Sequence, residues 1–325
     1  MHHLDGVGAM QPTVAVVLPA YNEELTIEPT IRAFHAALPH ASIWVVNNKS
    51  TDATEQVARA VILSLPCKGG VLNEVRKGKA NAVRRAFLDI DADVYLMADA
   101  DLTYPASRAN DLIAPILAGT ADMVVGDRHS DGHYASENKR PLHGMGNKLV
   151  RFLVNKLFGA NLADIMSGYR AFSRRFVKGY PIIVEEFEIE TDLTLHALDK
   201  RFRVVEIPVE YQDRPAGSES KLNTYTDGAK VLFVILQIFR YYKPLGFFGA
   251  LGTMTMLFAL LASVPVFDDW FRYSYIYHVP LAVLAAASVT VAVLLFGVGL
   301  ILDGIVHQQK MNYELGLLAK DRPRN

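Results

Sequence analysis

Two carboxylates one residue apart, Asp99 and Asp101, follow the apolar run Val94–Ala98. Leaving a strand, both can turn toward one point. Their oxygens are what a hard cation such as Mg²⁺ or Mn²⁺ takes, often shared with substrate phosphates. Acidic residues at strand ends also cap helices, so the pattern alone leaves both roles open. Arg76, Lys77 and Lys79 around Gly78 suit a phosphate or a nucleotide, and equally the solvated first turn of a helix. Arg214, Gly217, Ser218, Ser220 and Lys221 form a second basic, glycine-containing loop. Asp52 with Glu55 has capping-box spacing for a helix at Thr54, which makes Asp52 structural.

These side chains need elements to hold them. Residues 13–212 alternate β-rich runs with helical patterns. Strands are expected at Val14–Leu18, Ile43–Val46, Val71–Val75, Val94–Met97, Met123–Val125 and Val204–Val209. Helical spacing marks Glu24–Leu38, Thr54–Ser64 and Ala80–Leu88. Such alternation predicts an α/β fold with a parallel sheet covered on both faces. Ligands of such sheets bind at the carboxyl ends of the strands. Pro19–Glu23, Asn47–Asp52, Arg76–Lys79 and Asp99–Asp101 each follow one of the first four strands. A P-loop motif and a G-x-G-x-x-G after a strand are both lacking, which removes support for those nucleotide folds.

The chain has 325 residues, 33 Lys+Arg against 34 Asp+Glu, and a mean hydropathy of +0.16. A net charge of −1 argues against a nucleic-acid binder held by counterion release. The single Cys67 excludes a disulfide scaffold and a multi-cysteine metal site. The mean hydropathy hides two populations. From Leu245 to Leu302 the only charges are Asp268, Asp269 and Arg272. Leu245–Val264 and Pro280–Leu302 are uncharged, and each has the roughly 20 apolar residues a membrane helix needs. Pro265–Val279, with Trp270, Tyr273, Tyr275 and Tyr277, is the expected turn at headgroup level. Arg240, Lys243, Lys310, Lys320, Arg322 and Arg324 flank the pair outside, against Arg272 alone in the turn. Both termini are therefore expected in the cytoplasm. Met1–Met10 has no signal-peptide pattern.

Two further stretches read as amphipathic helices lying in the membrane interface, Arg140–Phe158 and Lys221–Lys243. An ordinary core-facing helix remains the other reading of Arg140–Phe158. The expected domains are a flexible N-terminus (1–12), a catalytic domain (13–220), an interfacial helix (221–244), two membrane helices within 245–302, and a tail (303–325).

Together these residues resemble the family 2 glycosyltransferases, in the branch of dolichol-phosphate mannose synthase and bactoprenol glucosyltransferases. The segments that carry the resemblance are VVLPAYNEE (16–24), WVVNNKSTDAT (44–54), RKGKANAVRRAF (76–87), YLMADADLTYP (95–105), VVGDR (124–128), DIMSGYRAF (164–172), FEIETDLTLHAL (187–198) and RPAGSESKL (214–222). The resemblance implies a GT-A, Rossmann-like fold, a UDP- or GDP-sugar donor, a divalent cation and a polyprenyl-phosphate acceptor in the membrane. It implies nucleotide contact for Pro19, Tyr21, Glu23, Asn48 and Lys79. It implies metal and diphosphate contact for Asp99, Ala100 and Asp101, and phosphate contact for Arg128, Arg140, Arg214 and Lys221. It leaves room for a homo-oligomer and gives no role to nucleic acid. The family often has Asp-Asp where this chain has Asn47-Asn48.

The nearest rival is a processive polysaccharide synthase, which adds a base in an E-D motif and a Q-x-x-R-W helix. The chain offers Glu190-Thr191-Asp192 and Gln237-Ile238-Phe239-Arg240-Tyr241. Glu190–Asp192 also suits a helix start, and two spans are too few to line a polymer channel. A catalytically weak membrane scaffold is the rival of another class. The Asn47-Asn48 pair suggests it, and the intact Asp99–Asp101 opposes it.

Overall fold

The computed structural model describes residues 11–129, 141–182, 189–212 and 227–320. The chain divides into two compact units, Met1–Tyr225 and Thr226–Asn325.

In the first unit the expected alternation is present. The strands are β1 (Val14–Ala20), β2 (Ser42–Asn47), β3 (Gly69–Asn73), β4 (Val94–Met97), β5 (Met123–Asp127), β6 (Arg170–Ser173) and β7 (Val204–Pro208). Helices α1 (Ile27–Ala37), α2 (Thr54–Ser64) and α3 (Lys79–Asp89) link the first four. Among the described residues these strands form one sheet in the order β3-β2-β1-β4-β6-β5-β7. β4 and β5 are buried throughout, as strands covered on both faces must be. Ile27, Ile31 and Phe34, spaced to share one face of α1, pack into the core with Leu18, Ile43 and Leu96.

The sheet is not wholly parallel, which corrects the expectation. β6 runs antiparallel to both β4 and β5. It begins with Arg170, which is fully buried. Its guanidinium donates to the carbonyls of Ser167 and Ile165 and to the Thr194 hydroxyl, at 2.7, 2.8 and 2.9 Å. Those bonds compensate the loss of water around the charge.

β3 also begins two residues before its apolar run. Gly69 has φ 141°, and a Cβ there would lie 1.9 Å from the Ile43 carbonyl oxygen, so only glycine lets the strand enter. Past Asn73 the chain turns, because the buried Glu74 carboxylate binds the Arg76 side chain and backbone N–H. Val75 is left exposed rather than paired.

Helix α4 (Ala109–Leu117) precedes β5, and α5 (Pro141–Phe158) follows it. One face of α5 packs inward and another is exposed. Val150 and Val154 are buried, whereas Lys148, Leu149, Phe152 and Lys156 form an exposed stripe. Helices α6 (Arg174–Gly179) and α7 (Ile189–Asp199) flank an aromatic cluster of Phe172, Phe176, Tyr180, His196 and Phe202.

The second unit contains α8 (Asp227–Tyr242), α9 (Pro244–Tyr273) and α10 (Val279–Lys320). The first six residues of the expected helix Lys221–Lys243 lie outside the described residues. α9 and α10 are long and apolar enough to cross a membrane. Leu257, Leu261, Leu294 and Ile301 are more than half exposed, as suits side chains that face lipid. Cβ atoms at Gly252 and Gly299 would come within 3.2 Å of Ala292 and Phe248, so glycine permits the helices' close approach. The turn is shorter than expected. α9 continues through Pro265 to Tyr273, and Ser274 closes it in the left-handed region. Asp269 then accepts the backbone N–H groups of Tyr277 and His278, which cap the start of α10. The expected tail is helical as far as Lys320.

Burial holds the His196 imidazole down at about 4, below its ordinary value of 6.5. The unfolded chain therefore binds the extra proton first as pH falls through 6.5, and stability drops between pH 6.5 and about 4. The loss from this group is on the order of 3 kcal/mol. Thermal melting of the full chain in detergent at pH 7 and pH 5 should show it, and His196→Phe should reduce the difference.

Candidate active site

The polar ends of β1 and β2 are tied into one surface. After Ala20 the chain turns at Asn22, whose φ is 54°. The Asn22 N–H donates to the Ser50 hydroxyl at 3.0 Å, and its side-chain oxygen accepts the Thr51 N–H at 2.8 Å. The Glu23 N–H donates to the Thr54 hydroxyl at 2.8 Å. Asp52 accepts the N–H groups of Thr54 and Glu24, and Glu24 accepts that of Ala53. Asp52 is thus structural, as expected. Glu55 is not its capping partner: it binds Asn47, Asn73 and Arg59. Glu23 accepts the Thr26 hydroxyl at the start of α1. Pro19 is buried within β1, in register with Val46 of β2.

The Asn47-Asn48 pair has a physical reason. The Asn47 amide donates to the Glu55 carboxylate at 3.2 Å and to the Asn73 oxygen at 3.0 Å. A carboxylate at that position would face Glu55 with like charge. Asn48 is buried and makes a two-pronged clasp. Its side-chain NH2 donates to the Arg76 carbonyl at 2.7 Å, and its side-chain oxygen accepts the Gly78 N–H at 2.8 Å. An aspartate could make only the second bond. The clasp shapes the loop between β3 and α3, where Gly78 has φ 124° and Lys77 lies over the Tyr21 ring at 5.4 Å. Arg76 beside Glu74 holds that carboxyl down at about 2, so the loop's other clamp stays ionised.

Lys79 opens α3 behind this loop. Its ammonium pairs with Asp99, after β4, and lies 2.6 Å from Glu190, the second residue of α7. Burial works against the ammonium charge, but Asp99 and Glu190 outweigh it and keep the pKa above the ordinary lysine value. Gly168 closes this cluster from the loop before β6. A Cβ there would lie 2.8 Å from Asp99 Oδ2 and 3.0 Å from Lys79 Nζ. The Gly168 N–H donates to the buried Tyr104 hydroxyl at 2.9 Å. Asp101 is buried and accepts the hydroxyl and N–H of Thr103 at 2.6 and 3.2 Å. The Ala100 carbonyl, between the two aspartates, meets the Thr30 hydroxyl at 3.4 Å.

Arg128 follows β5. It grips Asp164 in a fork, with Nε and Nη2 at 2.6 and 3.0 Å from the two carboxylate oxygens. Burial would raise the Asp164 pKa, but Arg128 outweighs it and holds the carboxyl low. Removing one partner of such a buried pair costs about 3–5 kcal/mol. Arg128 also lies over the Tyr211 ring at 5.6 Å, and Tyr211 packs on Tyr104. Arg140, Arg214 and Lys221 lie outside the described residues. The sequence reading left out Gly168, Asp164, Arg170 and Tyr104 as site residues, and gave Glu190 only as the rival's base motif or a helix start. All five sit within the segments that carry the resemblance, where burial rather than residue type distinguishes them.

The donor set fits a hard divalent cation. Two carboxylates, Asp99 and Asp101, follow β4 one residue apart, and no group of three or more metal-ligating side chains occurs among the described residues. A cation there would draw its remaining ligands from substrate phosphates and water, as Mg²⁺ does.

Residues 15–180 match the model of the family described as Glycosyl transferase family 2. The chain belongs to glycosyl transferase family 2. It is 30% identical over 294 residues to glycosyltransferase AglJ of Haloferax volcanii, covering 90% of this chain and 92% of that one. It is 30% identical over 237 residues to the dolichol-phosphate mannosyltransferase of Pyrococcus furiosus, covering 71% of this chain and 64% of that one. Glucosyl-3-phosphoglycerate synthase from Mycobacterium tuberculosis superposes with a TM-score of 0.53 at 23% identity, covering 70% of this chain and 79% of that one. That likeness confirms the GT-A fold for this family 2 glycosyltransferase.

Asn48→Asp should lower the stability of the family 2 domain by about 1–3 kcal/mol, because the Arg76 carbonyl loses its donor in a buried site. Chemical denaturation of the full chain in detergent measures it.

Proposed function

We propose that the chain transfers one hexose from a nucleoside-diphosphate sugar to a polyprenyl phosphate in the membrane, with inversion at the sugar C1. The observation that carries this reading is the Lys79–Asp99 ion pair at the end of β4, two residues before Asp101, in a family 2 chain with two membrane-length apolar helices. The relation to a dolichol-phosphate mannosyltransferase supports the acceptor class.

The proposed roles follow from chemistry. Tyr21 and the Asn48-held loop would line the nucleotide side, with Pro19 and Glu23 shaping the β1 end. Lys79 would meet the diphosphate. Asp99 and Asp101 would hold Mg²⁺ or Mn²⁺, whose positive charge favours departure of the nucleoside diphosphate. A phosphate monoester has its second pKa near 6 and is largely dianionic at pH 7. It attacks C1 without a strong base, so the protein's task is to neutralise and aim it. Arg128, Arg140, Arg214 and Lys221 would do so. The exposed Lys148–Lys156 stripe of α5 supports an interfacial role for that helix, since lysines flank apolar Leu149 and Phe152. Lys and Arg outside the helical pair argue for both termini on the cytoplasmic side of a cell membrane.

Asp101→Asn should abolish transfer while thermal melting stays close to wild type. The assay incubates the full chain with UDP- and GDP-sugars, Mn²⁺ and a short polyprenyl phosphate, and reads lipid-linked sugar by mass. A single added hexose is the expected product; a long polymer would favour the processive alternative. Wild-type turnover in Asp101→Asn would remove the metal assignment.

A further inference from the structure

Glu190 is a buried carboxylate beside Lys79 and Asp99 to which the proposed chemistry gives no task. In the processive reading this is where a base would stand. Its surroundings indicate another use. Only 9% of its side chain is exposed, and Oε1 lies 2.6 Å from Lys79 Nζ. The same ammonium pairs with Asp99. Lys79 is held from behind as well, since it follows Gly78, whose N–H is fixed by Asn48. An ammonium has three N–H donors. Two are taken by the carboxylates, which leaves a third for a phosphate oxygen. Oε1 is thereby committed to Lys79, whereas a general base must reach the acceptor's proton.

We propose that Glu190 is a positioning residue acting through Lys79: it holds the ammonium against Asp99 as a fixed cation for the donor diphosphate, and it is not the base of the reaction. The inference deepens the proposed function and rests on it for the donor. It also bears on the acceptor class. With Glu190 held on Lys79, an acceptor whose nucleophilic oxygen arrives already anionic, as that of a phosphate monoester does, needs no base at this position. Asp192, the other acid of this motif, meets the Tyr180 hydroxyl instead.

The test compares Glu190→Gln, Lys79→Met and the double variant, as full-length protein in detergent. Steady-state kinetics with polyprenyl phosphate are run beside calorimetric binding of the nucleoside diphosphate with Mn²⁺. Gln keeps an oxygen for Lys79 and the shape of Glu, so the fold should persist. Glu190→Gln should raise donor KM and nucleoside-diphosphate Kd about tenfold and lower kcat less than tenfold. Lys79→Met should show a larger defect of the same kind, and the double variant should be no worse than Lys79→Met alone. A kcat loss of a thousandfold or more in Glu190→Gln, with donor KM and Kd unchanged, would overturn the proposal. So would full additivity in the double variant. If the wild type transferred nothing to polyprenyl phosphate, the acceptor reading would fall. The binding measurements would still decide Glu190, because a Kd that ignores Glu190→Gln contradicts positioning and a tenfold rise supports it.

Discussion

One buried ammonium and its two carboxylates organise the site. Lys79 at the start of α3 is neutralised by Asp99 after β4 and by Glu190 at the start of α7. Three elements distant in sequence must therefore meet at one point, because an unpaired charge in that position costs several kcal/mol. Gly168 lets a fourth segment close over the cluster, and Tyr104 holds that segment by its backbone. A family 2 enzyme needs positive charge where a diphosphate departs. In the proposed function Lys79 would supply it, a side chain whose own charge is already balanced by Asp99 and Glu190.

The loops around this cluster are held by backbone-directed side chains. Asn48 clasps the Arg76–Gly78 segment, Glu74 clamps Arg76, and Asn22 and Asp52 join the loops after β1 and β2. On the other side, Arg170 gathers the carbonyls of residues 165 and 167, and Asp164 receives Arg128. Amides at positions 47 and 48 are consistent with this construction. Each donates where a carboxylate could not, so their departure from the acidic pair does not point to a lost activity.

Much of the frame was legible in the sequence. The strand Val94–Met97 and the helix Thr54–Ser64 have the predicted bounds, because periodicity and flanking polar residues agree there. Asp99, Asp101 and Lys79 stand out by type and position, and the fold pairs Lys79 with Asp99. What escaped was set by tertiary contact. β6 begins with a buried arginine whose partners are carbonyls, which no periodicity reveals. Glu190 looked like a helix start and is one, but its partner lies more than a hundred residues earlier. α9 runs past Pro265 because the following residues remain helical and Asp269 caps the next helix across the turn.

The central claim is that the donor diphosphate lies against Lys79 and a cation held at the end of β4. The most direct measurement is an experimental structure of the full chain with Mn²⁺ and a nucleoside diphosphate, with manganese located by anomalous scattering. The manganese peak should lie on the Asp99–Asp101 carboxylates, with a phosphate oxygen on Lys79 and the Lys79–Glu190 pair intact. A diphosphate bound away from Lys79, or manganese on other residues, would contradict the account.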